Sequence, residues 1–321
     1  MKIWQKIATS LALAVGLAGF VPAHAEEAQK HKHSQLDMMR ELRAEDAVCT
    51  RCHDQSEKNP VLSIYQTRHG VKADSRTPSC QACHGASEAH VKNTANTSVR
   101  PPVDFLGAKG KATAKDIESC IGCHKNGARS HWAGSAHESR DVLCTNCHQM
   151  HTHQDKVRNK ATQPEVCFAC HKEQRAQYSR PSRHLMSDGK MACSDCHNPH
   201  GSAGPRLLQR DSVTDTCYTC HMEKRGPFVR NHQPVQEDCT ICHNPHGTTT
   251  PNLLKSRPPF LCQQCHEPST HQGNAATLNP AAGLYSSSQN TLARGCINCH
   301  TNIHGSNNPT LNSASSRAYR R

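Results

Sequence analysis

The sequence predicts an elongated, mostly irregular chain with short α-helices and almost no sheet. It would be folded as five repeats around an interior that its own side chains do not supply. Three observations carry this. Hydrophobic residues make up 35% and aromatic residues 4% of the 321 positions, whereas ordinary globular domains carry about 45–50% apolar residues with glycine counted. The twenty cysteines, themselves part of the hydrophobic total, fall into ten copies of one short motif with none left over. Histidines recur between the motifs at a regular spacing. A chain this polar struggles to build one core from its own side chains.

The N-terminus reads as an export signal. Lys2 and Lys6 precede a nearly continuous apolar run from Ile7 to Val21, and "AHA" at 23–25 offers a small-residue cleavage site. The run is short for a membrane span, and no later stretch is long and apolar enough to cross a bilayer as a helix. The expected organisation is a signal peptide at 1–25 and an N-terminal tail at 26–48. A cysteine-rich domain follows at 49–305, divisible into halves 49–160 and 161–305, and a C-terminal tail closes the chain at 306–321. An exported chain is expected in the periplasm. Trp4 lies in the signal, so Trp132 is the one tryptophan of the mature chain.

The repeated unit is C-x-x-C-H. Its cysteines are Cys49 and Cys52, Cys80 and Cys83, Cys120 and Cys123, Cys144 and Cys147, Cys167 and Cys170, Cys193 and Cys196, Cys217 and Cys220, Cys239 and Cys242, Cys262 and Cys265, and Cys296 and Cys299. The closing histidines are His53, His84, His124, His148, His171, His197, His221, His243, His266 and His300. This is the c-type haem attachment motif. Two thiols three residues apart lie on one side of a helical turn and add to the vinyl groups of one porphyrin, and the adjacent histidine reaches the iron. Disulfides suit an oxidising compartment but do not require a histidine after every second cysteine. Zinc ribbons do not demand it ten times either. The motifs therefore predict ten covalently bound c-type haems and a multihaem cytochrome c fold.

The chain holds 25 histidines. After the ten motif residues, His24 goes with the signal, and His31 and His33 sit in a charged tail. Ten sixth-ligand candidates then follow from the repeat: His69, His90, His137, His151, His184, His200, His232, His246, His271 and His304. His131 and His153 are read as extras. The choices between His137 and His131, and between His151 and His153, stay open on sequence alone, as does the pairing of spare histidines with irons. The turns "CSDCHNPHG" and "CTICHNPHG" place a second histidine three residues after the first. His200 is too close to His197 to pass round the same macrocycle, so it is expected to serve a neighbouring haem. Asn198, Pro199 and Gly201 suit the tight turn this needs.

Porphyrins would replace the missing apolar side chains, and the polypeptide should not fold without them. Helices are expected over 163–178, with Pro164 in the first turn, and over 214–226, ending at Gly226. The formal net charge of +12 falls to +10 without Lys2 and Lys6. Twenty ionised propionates would bring the holoprotein to about 0 oxidised and about −10 reduced. The basic residues are therefore read as propionate partners, and a nucleic-acid platform is rejected for want of basic–aromatic interleaving.

A histidine for every sixth position gives closed centres, which favours electron transfer over bond chemistry. The competing readings are a multihaem reductase with an open haem site and a soluble periplasmic electron store. No C-x-x-C-K motif of the kind some reductases use is present.

The ten motifs, the "CHNPHG" turns, "DTCYTCHMEKRGP" at 215–227, "LCQQCH" at 261–266 and "CINCHTNIHG" at 296–305 resemble the decahaem periplasmic cytochromes of the MtrA, MtoA, PioA and DmsE-like family over nearly the whole mature chain. The resemblance implies a bis-histidine wire with no catalytic residue, inserted into an outer-membrane β-barrel porin. Its partners would be periplasmic or inner-membrane c-type cytochromes and, outside, a surface multihaem cytochrome or iron itself. Electrons would flow to ferric minerals or from ferrous iron, the overall likeness leaning to ferrous oxidation. Size agrees: about 296 residues give a radius of gyration of about 19 Å and a diameter on the order of 50 Å, against about 40–45 Å for a bilayer with headgroups.

Overall fold

The structure, a computed structural model, describes residues 45–56, 60–71, 76–96, 98–106, 112–186, 189–266, 296–298 and 300–307. The expected signal peptide, His31, His33, His271 and Cys299 lie outside the described residues. The chain divides into two compact units, Met1–Ser79 and Cys80–Arg321.

Within the first unit, helix α1 (Ala47–Thr50) carries the first motif cysteine and a 3-10 turn covers Leu62–Gln66. Leu62 and Tyr65 are buried there, with Val61 and Ile64 packed against them. The Tyr65 hydroxyl donates to the buried Asp46 carboxylate at 3.1 Å.

The second unit holds α2 (Cys80–His84), α3 (Glu88–Lys92), α4 (Glu118–Cys123), α5 (Cys144–Cys147), α6 (Gln163–Phe168), α7 (Lys172–Tyr178), α8 (Val213–Tyr218) and α9 (Gln233–Glu237). Single 3-10 turns at Cys193–Asp195, Cys239–Ile241, Cys262–Gln264 and Cys296–Asn298 carry the remaining motifs. Each helical segment is about one or two turns, too short to be stable by propensity alone. Among the described residues there is no strand, only isolated bridges such as His197 with Leu208 and His243 with Leu254.

The expected helix over 163–178 is interrupted. Pro164 opens α6 as expected, but the chain leaves helical geometry at His171 (φ −82°, ψ 69°) before α7 begins. The segment 214–226 breaks likewise at His221 (φ −101°, ψ 48°), between α8 and a 3-10 turn at Met222–Lys224. In both places the break falls on the motif histidine. A continuing helix would hold that ring on the helix flank, whereas an axial ligand has to swing across the porphyrin face.

Hydrophobic burial is slight. Among the described residues only Leu62, Tyr65, Ile117, Leu143, Ala192 and Leu208 are buried apolar side chains. At about 25 cal/mol per Å² of apolar surface removed from water, this handful cannot offset the ordering of so long a chain. The missing interior is the structural counterpart of the apolar shortfall in the composition.

Candidate haem-ligation site

Each motif forms one turn. The N–H of the closing histidine donates to the carbonyl of the first cysteine in nine cases: His53, His124, His148, His171, His197, His221, His243, His266 and His300, at 2.8–3.0 Å. The tenth, His84, ends α2, which opens at Cys80. Residues three and four apart share a helix face, so the turn brings two sulfurs and one imidazole to the same side.

The turns contact one another in sequence through their cysteines. Cys120 lies beside Cys144, Cys167 beside Cys193, Cys217 beside Cys239, and Cys262 beside Cys296, near enough for each thiol to shift its neighbour's acidity. These contacts draw the Cys120 thiol down to about 6 and the Cys239 thiol to about 7, while Cys144, Cys167 and Cys217 are pushed up. The second cysteines bridge the alternate gaps. Burial, and then the nearby charge of Cys120 and Cys123, raises Cys83. The same causes act on Cys147 beside Cys170, and on Cys242 beside Cys265. Cys196 is raised by burial, then Asp195 and then Cys220. From the motif at Cys80 to the motif at Cys296, each turn therefore has a cysteine within electrostatic reach of a cysteine of the next.

The histidines pair. Ring centroids lie 6.1 Å apart for His84 and His151, 6.1 Å for His137 and His171, 6.0 Å for His148 and His200, 6.5 Å for His184 and His221, 6.1 Å for His197 and His246, 6.0 Å for His232 and His266, and 6.1 Å for His243 and His304. Every pair joins one motif histidine to one spare histidine. A metal–imidazole bond of about 2.0–2.1 Å and a nitrogen about 1.1 Å from its ring centre would put two trans imidazoles about 6.3 Å apart. The observed separation therefore fits one metal ion between each pair. Among the described residues no group of three or more His, Cys, Asp or Glu side chains could hold a metal. Two side-chain ligands are what a porphyrin iron needs, since the macrocycle supplies the other four.

The far side of each ring is tied down. Nδ1 donates to a backbone carbonyl from His84 (Val103, 2.8 Å), His90 (Val99, 2.7 Å), His137 (Pro199, 2.8 Å), His184 (Pro245, 2.9 Å), His197 (Arg206, 3.0 Å), His232 (Ile303, 3.1 Å) and His243 (Asn252, 2.8 Å). His148 Nδ1 donates instead to Asp155 Oδ2 at 2.7 Å. A proton fixed on Nδ1 leaves Nε2 with its lone pair, the tautomer a metal requires. Burial also pushes His197, His200, His246 and His304 below the ordinary histidine value, keeping them neutral.

The pairing follows a register. The motif histidines 84, 148, 197 and 243 each face the second histidine of the turn one repeat ahead: 151, 200, 246 and 304. The motif histidines 171, 221 and 266 each face a spare histidine from upstream: 137, 184 and 232. In the second set the spare ring also bonds the carbonyl just before the second histidine of a turn, at Pro199, Pro245 or Ile303. One H-x-x-H turn thus touches three centres. It supplies a ring to each of two and orients the ligand of a third.

His131 and His153 are exposed and belong to none of these ring pairs. His53, His69, His124 and His300 are described, with no ring pair among those above. Two features were missed in the sequence. The repeated P-x-L-L at 205–208 and 251–254 bends through left-handed backbone at Arg206 (φ 54°), Leu207 (φ 60°), Asn252 (φ 58°) and Leu253 (φ 59°). That bend turns the carbonyls of Arg206 and Asn252 onto the motif rings. Recurrence of the tetrapeptide twelve residues after a motif's first cysteine, at both sites, was the available signal. Aromatic side chains also flank ligand rings: Phe105 meets His84 at 5.4 Å and Trp132 meets His200 at 6.2 Å.

A chain from Shewanella baltica named "Multiheme cytochrome MtrA" is 43% identical over 268 residues, covering 82% of this chain and 78% of that protein. This chain belongs to the MtrA family of multihaem c-type cytochromes. Residues 184–226 and 232–271 match the doubled CXXCH motif family, and residues 80–163 match the NrfB-like family of cytochrome c-type proteins. A high-molecular-weight cytochrome c from Nitratidesulfovibrio vulgaris is 22% identical over 51% of this chain, covering 28% of that longer protein. As an MtrA-family member the chain is an electron-transfer cytochrome that binds c-type haem covalently through its CxxCH cysteines.

Proposed function

We propose that the protein carries ten c-type haems, every iron capped by two imidazoles, and that it conducts electrons across the outer membrane inside a β-barrel porin. Bound haem supplies a one-electron Fe(III)/Fe(II) couple. The chain's own residues set the rest. The paired cysteines hold each macrocycle beside the next, and the paired imidazoles close both axial positions. The backbone carbonyls keep those imidazoles from turning. The seven ring pairs of the second unit supply fourteen ligands. His53, His69, His90, His124, His271 and His300 complete the set of twenty.

The observation that carries the reading is the order of neighbouring cysteines, each motif beside the next, from the second motif to the tenth. A store needs many centres but no order, whereas a conductor needs each centre next to the following one. A reductase needs an open axial position, and each of the seven paired motif histidines faces a second imidazole. No described helix is long and apolar enough to cross a membrane, so passage through lipid calls for a sheath. The signal-like N-terminus, with Lys2 and Lys6 before the apolar run from Ile7 to Val21, supports a periplasmic location, in which other c-type cytochromes would exchange electrons with its inner end. Extracellular iron, as Fe(II) donor or as Fe(III) mineral acceptor, or a surface multihaem cytochrome, meets its outer end.

The test combines three measurements on the protein purified from membranes. Intact mass should report ten haems per chain. The oxidised spectrum should be wholly low-spin. A barrel protein should co-purify, and the complex in liposomes should pass electrons from an external reductant to an enclosed acceptor. Purification as a lone soluble chain that passes no current in liposomes with any barrel would refute the conduit. A substantial high-spin band in the unmodified protein would return the reductase reading.

A further inference from the structure

Among the ring bonds described above, the one from His148 differs in its acceptor. Seven described Nδ1 bonds end on neutral backbone carbonyls, and the one from His148 ends on the carboxylate of Asp155 at 2.7 Å. Both side chains are largely shielded, 28% exposed for His148 and 11% for Asp155. The local sequence explains the exception. After the motifs at Cys193 and Cys239 a P-x-L-L bend delivers a carbonyl to the ring. After the motif at Cys144 the chain reads "QMHTHQDKVRN" and has no such bend. Asp155 opens a 3-10 turn at Lys156–Arg158, and its own carbonyl accepts from the Arg158 N–H at 3.0 Å. The Gln149 N–H donates to the other carboxylate oxygen at 3.4 Å. The side chain is thereby aimed back at the ring.

A carbonyl and a carboxylate hold the ring in the same place but not with the same charge. A charge-assisted bond is shorter and about twice as strong as a neutral one. A carboxylate on Nδ1 draws the ring proton outward and makes Nε2 the more basic donor. A more electron-rich imidazole, with a full negative charge behind it, stabilises Fe(III) over Fe(II). Hydrogen bonding to the axial ligand is one of the levers a protein has on a haem potential.

We propose that Asp155 is a positioning and tuning residue that holds the iron between His148 and His200 at a lower potential than the carbonyl-tied centres of the same line. The proposal rests on the reading that these two rings share one haem iron. A second histidine–carboxylate contact supports the distinction: Glu223 lies 3.6 Å from His221 Nδ1, too far for a hydrogen bond, and both groups are more than half exposed, at 59% and 56%. Solvent screens that charge.

The experiment uses the complete haem-loaded chain and compares Asp155→Asn, Asp155→Glu and Glu223→Gln with the parent by spectroelectrochemical titration. Asparagine keeps an acceptor oxygen and removes the charge. One component of the Asp155→Asn titration should move upward. Its oxidised-to-reduced ratio at a fixed potential should fall about ten-fold, at the lower end of what such supporting contacts are worth, which is about 59 mV for one electron. Asp155→Glu should return the component towards the parent, and Glu223→Gln should leave every component in place. All variants should keep the low-spin spectrum and full haem mass. An Asp155→Asn curve that superimposes on the parent overturns the proposal. So does a shift in Glu223→Gln of the same size, or an Asp155→Asn spectrum that turns partly high-spin, which would make Asp155 a mechanical prop. Failure of the underlying pairing would show separately, as a His200→Ala variant that stays wholly low-spin.

Discussion

Replacing His200 by alanine tests the register of the line at its most counterintuitive point. His200 follows the motif at Cys193 by a few residues, yet its ring faces His148, 6.0 Å away, and not His197. His197 faces His246 at 6.1 Å. The substitution should therefore open the centre of the previous repeat and leave the local one closed. With ten motifs in the chain, about one tenth of the iron should turn high-spin, since each spare ring caps one metal. Ring orientation separates this centre from the one formed by His137 and His171. The His148 and His200 planes are nearly parallel, at 10°, whereas those of His137 and His171 are nearly perpendicular, at 85°. Parallel imidazoles split the iron π orbitals strongly and give a well-resolved rhombic low-spin resonance, and perpendicular ones give a single feature at large g. Electron paramagnetic resonance of oxidised His200→Ala should show one rhombic signal exchanged for an axial high-spin one. His137→Ala should instead remove a large-g feature. Loss of the large-g feature in His200→Ala, or no high-spin iron at all, would refute the pairing.

Three further outcomes follow from the same geometry. Gly201 has φ +104°, and a side chain there would run into the carbonyl of His131, so Gly201→Ala should cost more than about 1 kcal/mol in thermal or urea unfolding of the loaded protein. Tyr65→Phe removes the hydroxyl that donates to the buried Asp46 carboxylate and should cost about 1.5–3 kcal/mol in denaturant unfolding with haem content unchanged. Burial holds His197, His200, His246 and His304 below the ordinary histidine value. Below about pH 6.5 the unfolded chain therefore binds more protons than the folded one, and stability falls as pH falls. The urea midpoint of the loaded protein should therefore be level above about pH 6.5 and decline progressively below it.

The legible part of this protein was written in covalent chemistry. Ten C-x-x-C-H turns announce their cofactor because the two thioethers and the imidazole each demand a fixed residue type at a fixed offset. The shortage of apolar side chains then favours an irregular fold, and the structure has no described strand. The H-x-x-H spacing also gave away that one turn serves more than one metal, because a loop that short cannot encircle a porphyrin. The pairing itself stayed hidden. Nothing local distinguishes His200 from a ligand of its own repeat, since the choice depends on contacts between segments far apart in sequence, such as Ser182 with Thr248 and His137 with Pro199. The helix over 163–178 was read as continuous because its residues favour helix throughout, and the demand on His171 overrides that preference. Asp155 was unremarkable among 26 acidic residues until its partner was seen.

The backward reach of the second histidine in each turn has a bearing on how such a protein changes length. A segment taken from the middle of the series, with its two motifs and its turn, borrows one ring from the segment ahead and one from the segment behind, and lends one to each. Inserting or deleting a whole segment leaves every debt of that kind settled, whereas a cut within a segment strands two irons at once. The path can thus be lengthened or shortened by duplication in discrete steps, and only the terminal segments, where His84–His90 and His300–His304 depart from the regular spacing, must be shaped individually.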